Sequence, residues 1–221
     1  MNKQNMKILN LYAGIGGNRK LWPKEHEITA VEINPEIAKI YKDFFPNDKV
    51  IVADAHQYLL ERYQEFDFIW SSPPCPSHSG VNFFLNAQGC IRYPDMSLWQ
   101  EIIFLQYFFK GKWIVENVIG YYESFFKPLP YNLDRHYFWA NFYIGDWKRK
   151  DNNISIINAR QSTRRQHKTH YEHLENYIGF DLSKYKINDK RRLLQNCVKS
   201  ELGLHIFNEA FKIKQKEISH Y

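Results

Sequence analysis

Short β-rich apolar runs alternate with helical patterns along the first two-thirds of the chain, and that alternation points to a parallel sheet covered by helices. Lys7–Tyr12, Ile28–Glu32, Val50–Ala53, Phe66–Ser71 and Trp113–Glu116 read as buried strands, and Tyr137–Ile144 as a further one. Asn34-Pro35-Glu36 offers an N-cap, a first-turn proline and an acid for a helix running to about Phe44. Asp95 is expected to cap a second helix over Met96–Lys110. A last helix, near Glu201–Lys216, carries Leu204, Ile206, Phe207 and Phe211 at helical spacing and should pack back on the body.

At 221 residues and 44% hydrophobic, the chain is long enough for one domain with a real core, which excludes a disordered tail or a fibrous repeat. The formal charge is +6, from 30 Lys+Arg against 24 Asp+Glu. Gly145–Lys199 holds 13 Lys/Arg and 6 Asp/Glu, a local +7 that leaves −1 for everything else. An anionic partner therefore belongs to the C-terminal third. Within it, Trp147–His173 is polar, basic and poor in periodicity, so it reads as a surface excursion. The sequence divides accordingly into a core over 1–145, a basic segment over 146–190 and a returning helix over 191–221. Cys75, Cys90 and Cys197 form no CxxC pair, so no metal site and no disulfide framework is expected. Ile102–Phe109 is too short to cross a bilayer, and Lys3–Gly17 lacks the pattern of a secretory leader. The expectation is a cytoplasmic protein without a membrane partner.

The chemistry is expected at the strand ends. Ala13-Gly14-Ile15-Gly16-Gly17 follows the first strand as a glycine-rich turn, where backbone approaches a ligand closely. Glu32, twenty residues past Tyr12, ends the second strand, where a carboxylate accepts hydrogen bonds from ribose hydroxyls. Asp54 ends the third and is read as the acceptor of an adenine amino group. The turn is not GxGxxG and has no Walker lysine, so a pyrophosphate ligand is disfavoured. Ser71-Ser72-Pro73-Pro74-Cys75 ends the fourth strand, its prolines stiffening the backbone in front of a thiol. Glu116-Asn117-Val118 ends the fifth, bringing a candidate proton donor to the same edge. Cys90 and Cys197 read as ordinary small apolar residues.

These residues resemble the DNA cytosine-5 methyltransferases. Leu11–Gly17 is similar to that family's first motif, with Tyr12 for the usual phenylalanine and Asn10 for the usual aspartate before it. Glu32, Asp54, Pro73-Pro74-Cys75 and Glu116-Asn117-Val118 follow in the family's order, and Gly179-Phe180 and Gln195-Asn196-Cys197-Val198 resemble its ninth and tenth motifs. Pro76 departs from the glutamine that commonly follows the nucleophile.

The resemblance implies a Rossmann-like α/β fold, a mostly parallel sheet with helices on both faces, carrying a small basic recognition segment. It implies S-adenosyl-L-methionine as cofactor and S-adenosyl-L-homocysteine as product. Tyr12, Ala13, Gly14, Gly16, Gly17, Glu32, Ile33, Asp54, Ala55, Pro73, Asn196 and Val198 would hold the cofactor. Cys75 would add to C6 of a flipped cytosine and Glu116 would hold N3 and the amino group. The family's arginine role falls on Arg135 in preference to Arg164. Gly80 and Gly89 bracket Val81–Gln88, read as a lid over the base. Double-stranded DNA is the implied partner, contacted by Ser77, Ser79, Arg160, Arg164, Arg165 and Lys168. The segment is short for such recognition. It implies a short target sequence, a second copy or a partner subunit that completes recognition, or a single-stranded or RNA substrate. Three rival readings remain: a tRNA cytosine-5 methyltransferase, an amino-methyltransferase, and a silent DNA-binding partner of a larger methyltransferase. Cys75 stands where the second would place an aromatic residue, and the intact Cys75 and Glu116 oppose the third.

Overall fold

The computed structural model describes residues 5–128, 133–148 and 164–212, with backbone alone for 164–170. Among these residues six strands form one sheet in the order β3-β2-β1-β4-β5-β6. They are β1 (Lys7–Leu11), β2 (Glu27–Glu32), β3 (Lys49–Val52), β4 (Phe68–Ser71), β5 (Lys112–Val118) and β6 (His136–Ala140). The first five run parallel and β6 pairs antiparallel to β5. Strand order reverses between β1 and β4, so a crevice opens at their carboxyl ends, the place where open α/β sheets bind ligands.

Alternation along the strands sorts the core into two faces. Ile8, Ile28, Phe68, Trp70, Ile114 and Phe138 pack on one side with Leu202, Ile206 and Phe207 of helix α7 (Ser200–Ala210). Leu9, Leu11, Ile69, Trp113 and Val115 pack on the other with Leu59 of α2 (Ala55–Arg62) and Leu98, Ile102 and Leu105 of α4 (Ser97–Phe108). Helix α1 (Pro35–Phe44) starts as the sequence implies, Asn34 accepting from the amides of Glu36 and Ile37. The helix over Ser97–Phe108 has Met96 at its N-cap. Asp95 sits one residue earlier and its carboxylate accepts from the Ser97 amide at 3.0 Å.

Five expectations are corrected by packing. β5 runs on to Val118 because β6 pairs Val118 with His136 and Glu116 with Phe138, a partner that a run of apolar letters does not reveal. The fourth strand starts at Phe68 and the sixth ends at Ala140, where Asn141 turns the chain by accepting from the Trp113 amide and donating to Gly111 O. Val81–Ala87 is a helix, α3, rather than a loop, and Val81, Asn82 and Leu85 line the cavity described below. Part of the basic excursion is also helical. Helix α5 (Arg164–Ile178) sends Leu174, Tyr177 and Ile178 into a cluster with Ile15, Ile40, Phe180, Leu182 and Leu194, the last from helix α6 (Lys190–Gln195).

Helix α7 is held tightly. Trp22 stacks on Phe207 with centroids 5.3 Å apart, and its indole N–H donates to Gly203 O at 3.1 Å. A Cβ on Gly203 would lie 2.4 Å from the backbone oxygen of Asn18. Gly203→Ala is therefore expected to cost about 1–3 kcal/mol by overpacking, and to lower the melting temperature by roughly 2–10 °C. An unshifted thermal melt would show that the helix has room to move. Among the described residues no helix is long and apolar enough to cross a membrane.

Candidate active site

A cavity of about 1250 Å³ lies across the carboxyl ends of β1, β2, β4 and β5. Its near wall is the turn after β1. Tyr12 and Gly14 both have left-handed backbone, φ 53° and 54°, and a Cβ on Gly14 would meet nothing within 4 Å, so its backbone faces open space. Tyr12 holds its unusual conformation through a buried network. Its hydroxyl donates to Glu101 Oε1 at 2.5 Å, His56 Nδ1 lies 3.0 Å from the same oxygen, and Ser71 donates to Oε2 at 2.6 Å. Glu101 is wholly buried. The Tyr12 phenol is pushed far above its ordinary pKa, first by burial and then by this carboxylate.

Glu32 ends β2 with its carboxylate fixed by two backbone donors, Gly14 N at 3.0 Å and Asn34 N at 2.9 Å. Beside it Ile33, 66% exposed, presents an apolar face to the cavity. Ala13, Gly17, Pro73, Asn196 and Val198 also line the space. Three expected cofactor residues do not. Gly16 faces the rings of Tyr41 and Phe45. Asp54 is exposed and spends its carboxylate capping α2, accepting from Gln57 N at 2.8 Å. Ala55 is buried against Leu59 and its neighbours beneath α2.

The opposite wall carries the thiol. Asn117 at the end of β5 donates to Pro73 O at 3.0 Å, tying the prolines to the sheet. Cys75 O accepts from the amides of His78 and Ser79, and Pro76 O accepts from Asn82 and Arg92, so the chain is pinned on both sides of Cys75. Burial pushes the Cys75 thiol up, and the Glu116 carboxylate adds to this, while Arg192 and Arg135 pull it down. Cys197 is also buried, but its thiol donates to Leu193 O at 3.3 Å and burial pushes it up to about 12. Cys90 is exposed and does not line the cavity. Ser79 lines the space, whereas Ser77 lies outside it, its hydroxyl accepting from the Asp95 amide at 3.0 Å.

Glu116 is 6% exposed, and burial raises its carboxyl to about 7 against the opposing pull of the Ser72 hydroxyl and the Arg135 charge. His136 Nε2 lies 3.3 Å from Glu116 Oε1. Burial, with Arg135 adjacent, holds this imidazole well below its ordinary pKa, so His136 is neutral. Arg135 donates through Nη2 to Gln195 O and, at 3.0 Å, to Cys197 O, joining the start of β6 to the end of α6. It lines the cavity, as the sequence places it. Arg160 lies outside the described residues, as do the side chains of Arg164, Arg165 and Lys168. Sequence reasoning missed His136, Asn117 and the pair Arg191 and Arg192, all in the cavity wall. Asn117 and His136 adjoin residues already singled out, which was the available signal. Among the described residues no group of three or more His, Cys, Asp or Glu is placed to hold a metal ion.

A family model for C-5 cytosine-specific DNA methylases matches residues 6–122. Among solved structures, the chain is similar to the Entamoeba histolytica methyltransferase EhMeth, with TM-score 0.53, 12% identity, and 95% of this chain and 98% of that one covered. That likeness bears on the fold alone. A mutant of Spodoptera frugiperda DNMT2 aligns at 28% identity over 54% of this chain and 37% of that one, TM-score 0.39. A SAM-dependent methyltransferase from Agrobacterium tumefaciens aligns at 12% over 53% and 40%, TM-score 0.37. The chain thus spans less than half the length of these two proteins. No curated protein matches it.

Proposed function

The chain belongs to the C-5 cytosine-specific DNA methylase family, and from that premise we propose that it methylates C5 of a cytosine flipped out of duplex DNA, through a covalent adduct with Cys75. The single observation that carries this reading is one cavity lined at once by the glycine turn, the Cys75 thiol, the buried Glu116 carboxyl and Arg135.

The near wall fits S-adenosyl-L-methionine. Gly14 leaves backbone open at a left-handed turn, Glu32 stands rigidly at the end of β2 to accept from ribose hydroxyls, and Ile33 offers an apolar face. When bound, the cofactor supplies an electrophilic methyl group on a sulfonium and leaves as S-adenosyl-L-homocysteine.

The remaining chemistry belongs to the chain's own residues. A cytosine must leave its stack to lie on Cys75, at a cost of a few kcal/mol. The thiolate sulfur then adds to C6, and the ring electrons pass toward N3, where Glu116 donates its proton. C5 of the resulting enamine is the nucleophile. Once C5 has taken the methyl group, its proton passes to water, the C–H electrons re-form the C5–C6 double bond and expel the Cys75 sulfur as thiolate, and N3 returns its proton to Glu116. Glu116 suits its part because an acid near 7 still holds a proton at working pH. A protonated Glu116 also removes the negative charge that opposes ionisation of Cys75, leaving the pull of Arg135 and Arg192 on the sulfur. Arg135, clamped by the carbonyls of 195 and 197, is rigidly placed to donate to the base O2. Recognition of the duplex falls to the basic segment through Arg160, Arg164, Arg165 and Lys168, together with Ser79 at the cavity.

The test is covalent capture. DNA containing 5-fluorocytosine, given with S-adenosyl-L-methionine, should form a denaturation-stable complex with the full chain, because fluorine in place of the C5 hydrogen blocks release. No complex, with folded protein, would exclude the adduct. Capture on 5-fluorocytosine tRNA but not DNA would move the substrate to RNA.

A further inference from the structure

The stretch Lys190-Arg191-Arg192 opens α6, and its three cations have different fates. Lys190 Nζ donates to Leu182 O at 2.7 Å and so is committed to the protein. Arg191 and Arg192 line the cavity instead. Arg191 Nε is buried with no hydrogen-bond partner among the described residues. Arg192 is exposed, and its charge acts on Cys75, offsetting part of the upward push of burial and Glu116 on the thiol. Asp189 does not neutralise the pair by hydrogen bonding to a guanidinium, because its carboxylate accepts from the Arg192 backbone amide at 3.1 Å.

The other charges of the cavity are already engaged. Arg92 donates to Pro76 O and Arg135 to the carbonyls of 195 and 197. Glu32 is held by two amides, and Glu116 at about 7 is largely neutral in mildly acidic solution. The wall beside the thiol thus has a net positive charge, with an Arg191 Nε that no acceptor takes up among the described residues and an exposed Arg192 beside it. Forked donors of this kind suit a phosphate. A nucleotide whose base lies on the Cys75 sulfur has to keep its sugar and phosphates near solvent, and Arg192 is an exposed cation of the same cavity.

We propose that Arg191 and Arg192 form a phosphodiester-binding edge of the cavity, holding the DNA backbone beside the nucleotide that Cys75 engages. This rests on the function proposed above. It adds a nucleic-acid contact distinct from Arg160, Arg164, Arg165 and Lys168 of the basic segment, on the wall that also presents Asn196 and Val198.

The experiment measures affinity of the full chain for a DNA duplex between about 50 and 200 mM salt, for the wild type, Arg191→Ala/Arg192→Ala and Arg191→Lys/Arg192→Lys. Each lost phosphate contact lowers the slope of log affinity against log salt by about one. The alanine pair should lose about two units of slope, and the lysine pair, which keeps both charges, should stay close to the wild type. Binding of S-adenosyl-L-homocysteine, followed by calorimetry, should stay within about twofold in both variants, which also reports that they are folded. An unchanged slope in the alanine pair overturns the proposal. So does weakened cofactor-product binding with an unchanged slope, which would assign the arginines to the cofactor's carboxylate. Failure of the methyl-transfer reading has a separate signature: wild-type protein that binds DNA and leaves no 5-methylcytosine.

Discussion

Cys75→Ser is expected to lower methyl transfer by at least about 10⁴-fold, more than 5 kcal/mol of barrier, while S-adenosyl-L-homocysteine binds as before. A hydroxyl is a poor nucleophile unless a base takes its proton. The cavity has no base ready for that. Glu116 near 7 is the proton donor of the proposed reaction and His136, beside it, is held neutral far from its ordinary range. A thiol is intrinsically far more acidic than a hydroxyl, and Arg135 and Arg192 offset part of the upward push of burial on Cys75, an aid too small to ionise a serine. The substitution changes one atom at a half-buried position whose backbone is pinned by Asn117, Asn82 and Arg92, so fold and stability should hold within about 0.5 kcal/mol. Cys90→Ser, an exposed position outside the cavity, should keep full transfer. Radiolabelled transfer and calorimetry on the same preparations decide the matter. Activity retained by Cys75→Ser would end the covalent reading.

The site was legible where chemistry sits directly after an apolar run. The glycine turn, Pro73-Pro74-Cys75 and Glu116 all follow buried strands, and parallel pairing of β1, β4 and β5 brings them to one edge without further information. Arg135 reaches the same edge by the opposite route, standing just before β6, whose start is brought there by antiparallel pairing with the end of β5. Asp54 carries a second role that the sequence reading did not give it. It stands two residues past the end of β3, the next residue starts a helix, and its Oδ1 accepts from the Gln57 amide of that helix. The Val81–Ala87 helix was hidden because its ties are not local in pattern: Asn82 reaches back to Pro76 O, and Cys90 N closes onto Leu85 O. The Tyr12–Glu101 contact spans 89 residues and has no periodic signature. Arg191 and Arg192 read as part of a diffuse positive field, and only the neighbouring Lys190 contact with Leu182 O shows which of the three cations faces the cavity.

Glu116→Gln is expected to cut the rate by about 10²–10⁴-fold and to change how both activity and stability respond to pH. The amide keeps the shape and can still hold the base, so affinity for DNA should move little while turnover collapses. In the proposed reaction, wild-type activity needs Glu116 protonated and Cys75 ionised. Below about 7 the acid is already protonated and the thiolate fraction limits, so activity rises about tenfold per pH unit. Above that value each unit gains thiolate and loses acid in equal measure, and the profile flattens until the thiol itself titrates. With glutamine the break near 7 should vanish and activity should keep climbing from its lower base. Stability follows the opposite course in the wild type. The folded carboxyl titrates at about 7 against 4.5 for the free group, so the folded state holds the proton more tightly. Stability from burying the neutral acid is complete below about 4.5 and is lost as pH rises through 7, a change of order 3 kcal/mol. Glutamine does not titrate, so the melting temperature of Glu116→Gln should gain on the wild type between about pH 5 and pH 8. A gap between the two that stays constant over that range would mean that Glu116 is ionised inside the fold throughout and is not the proton donor.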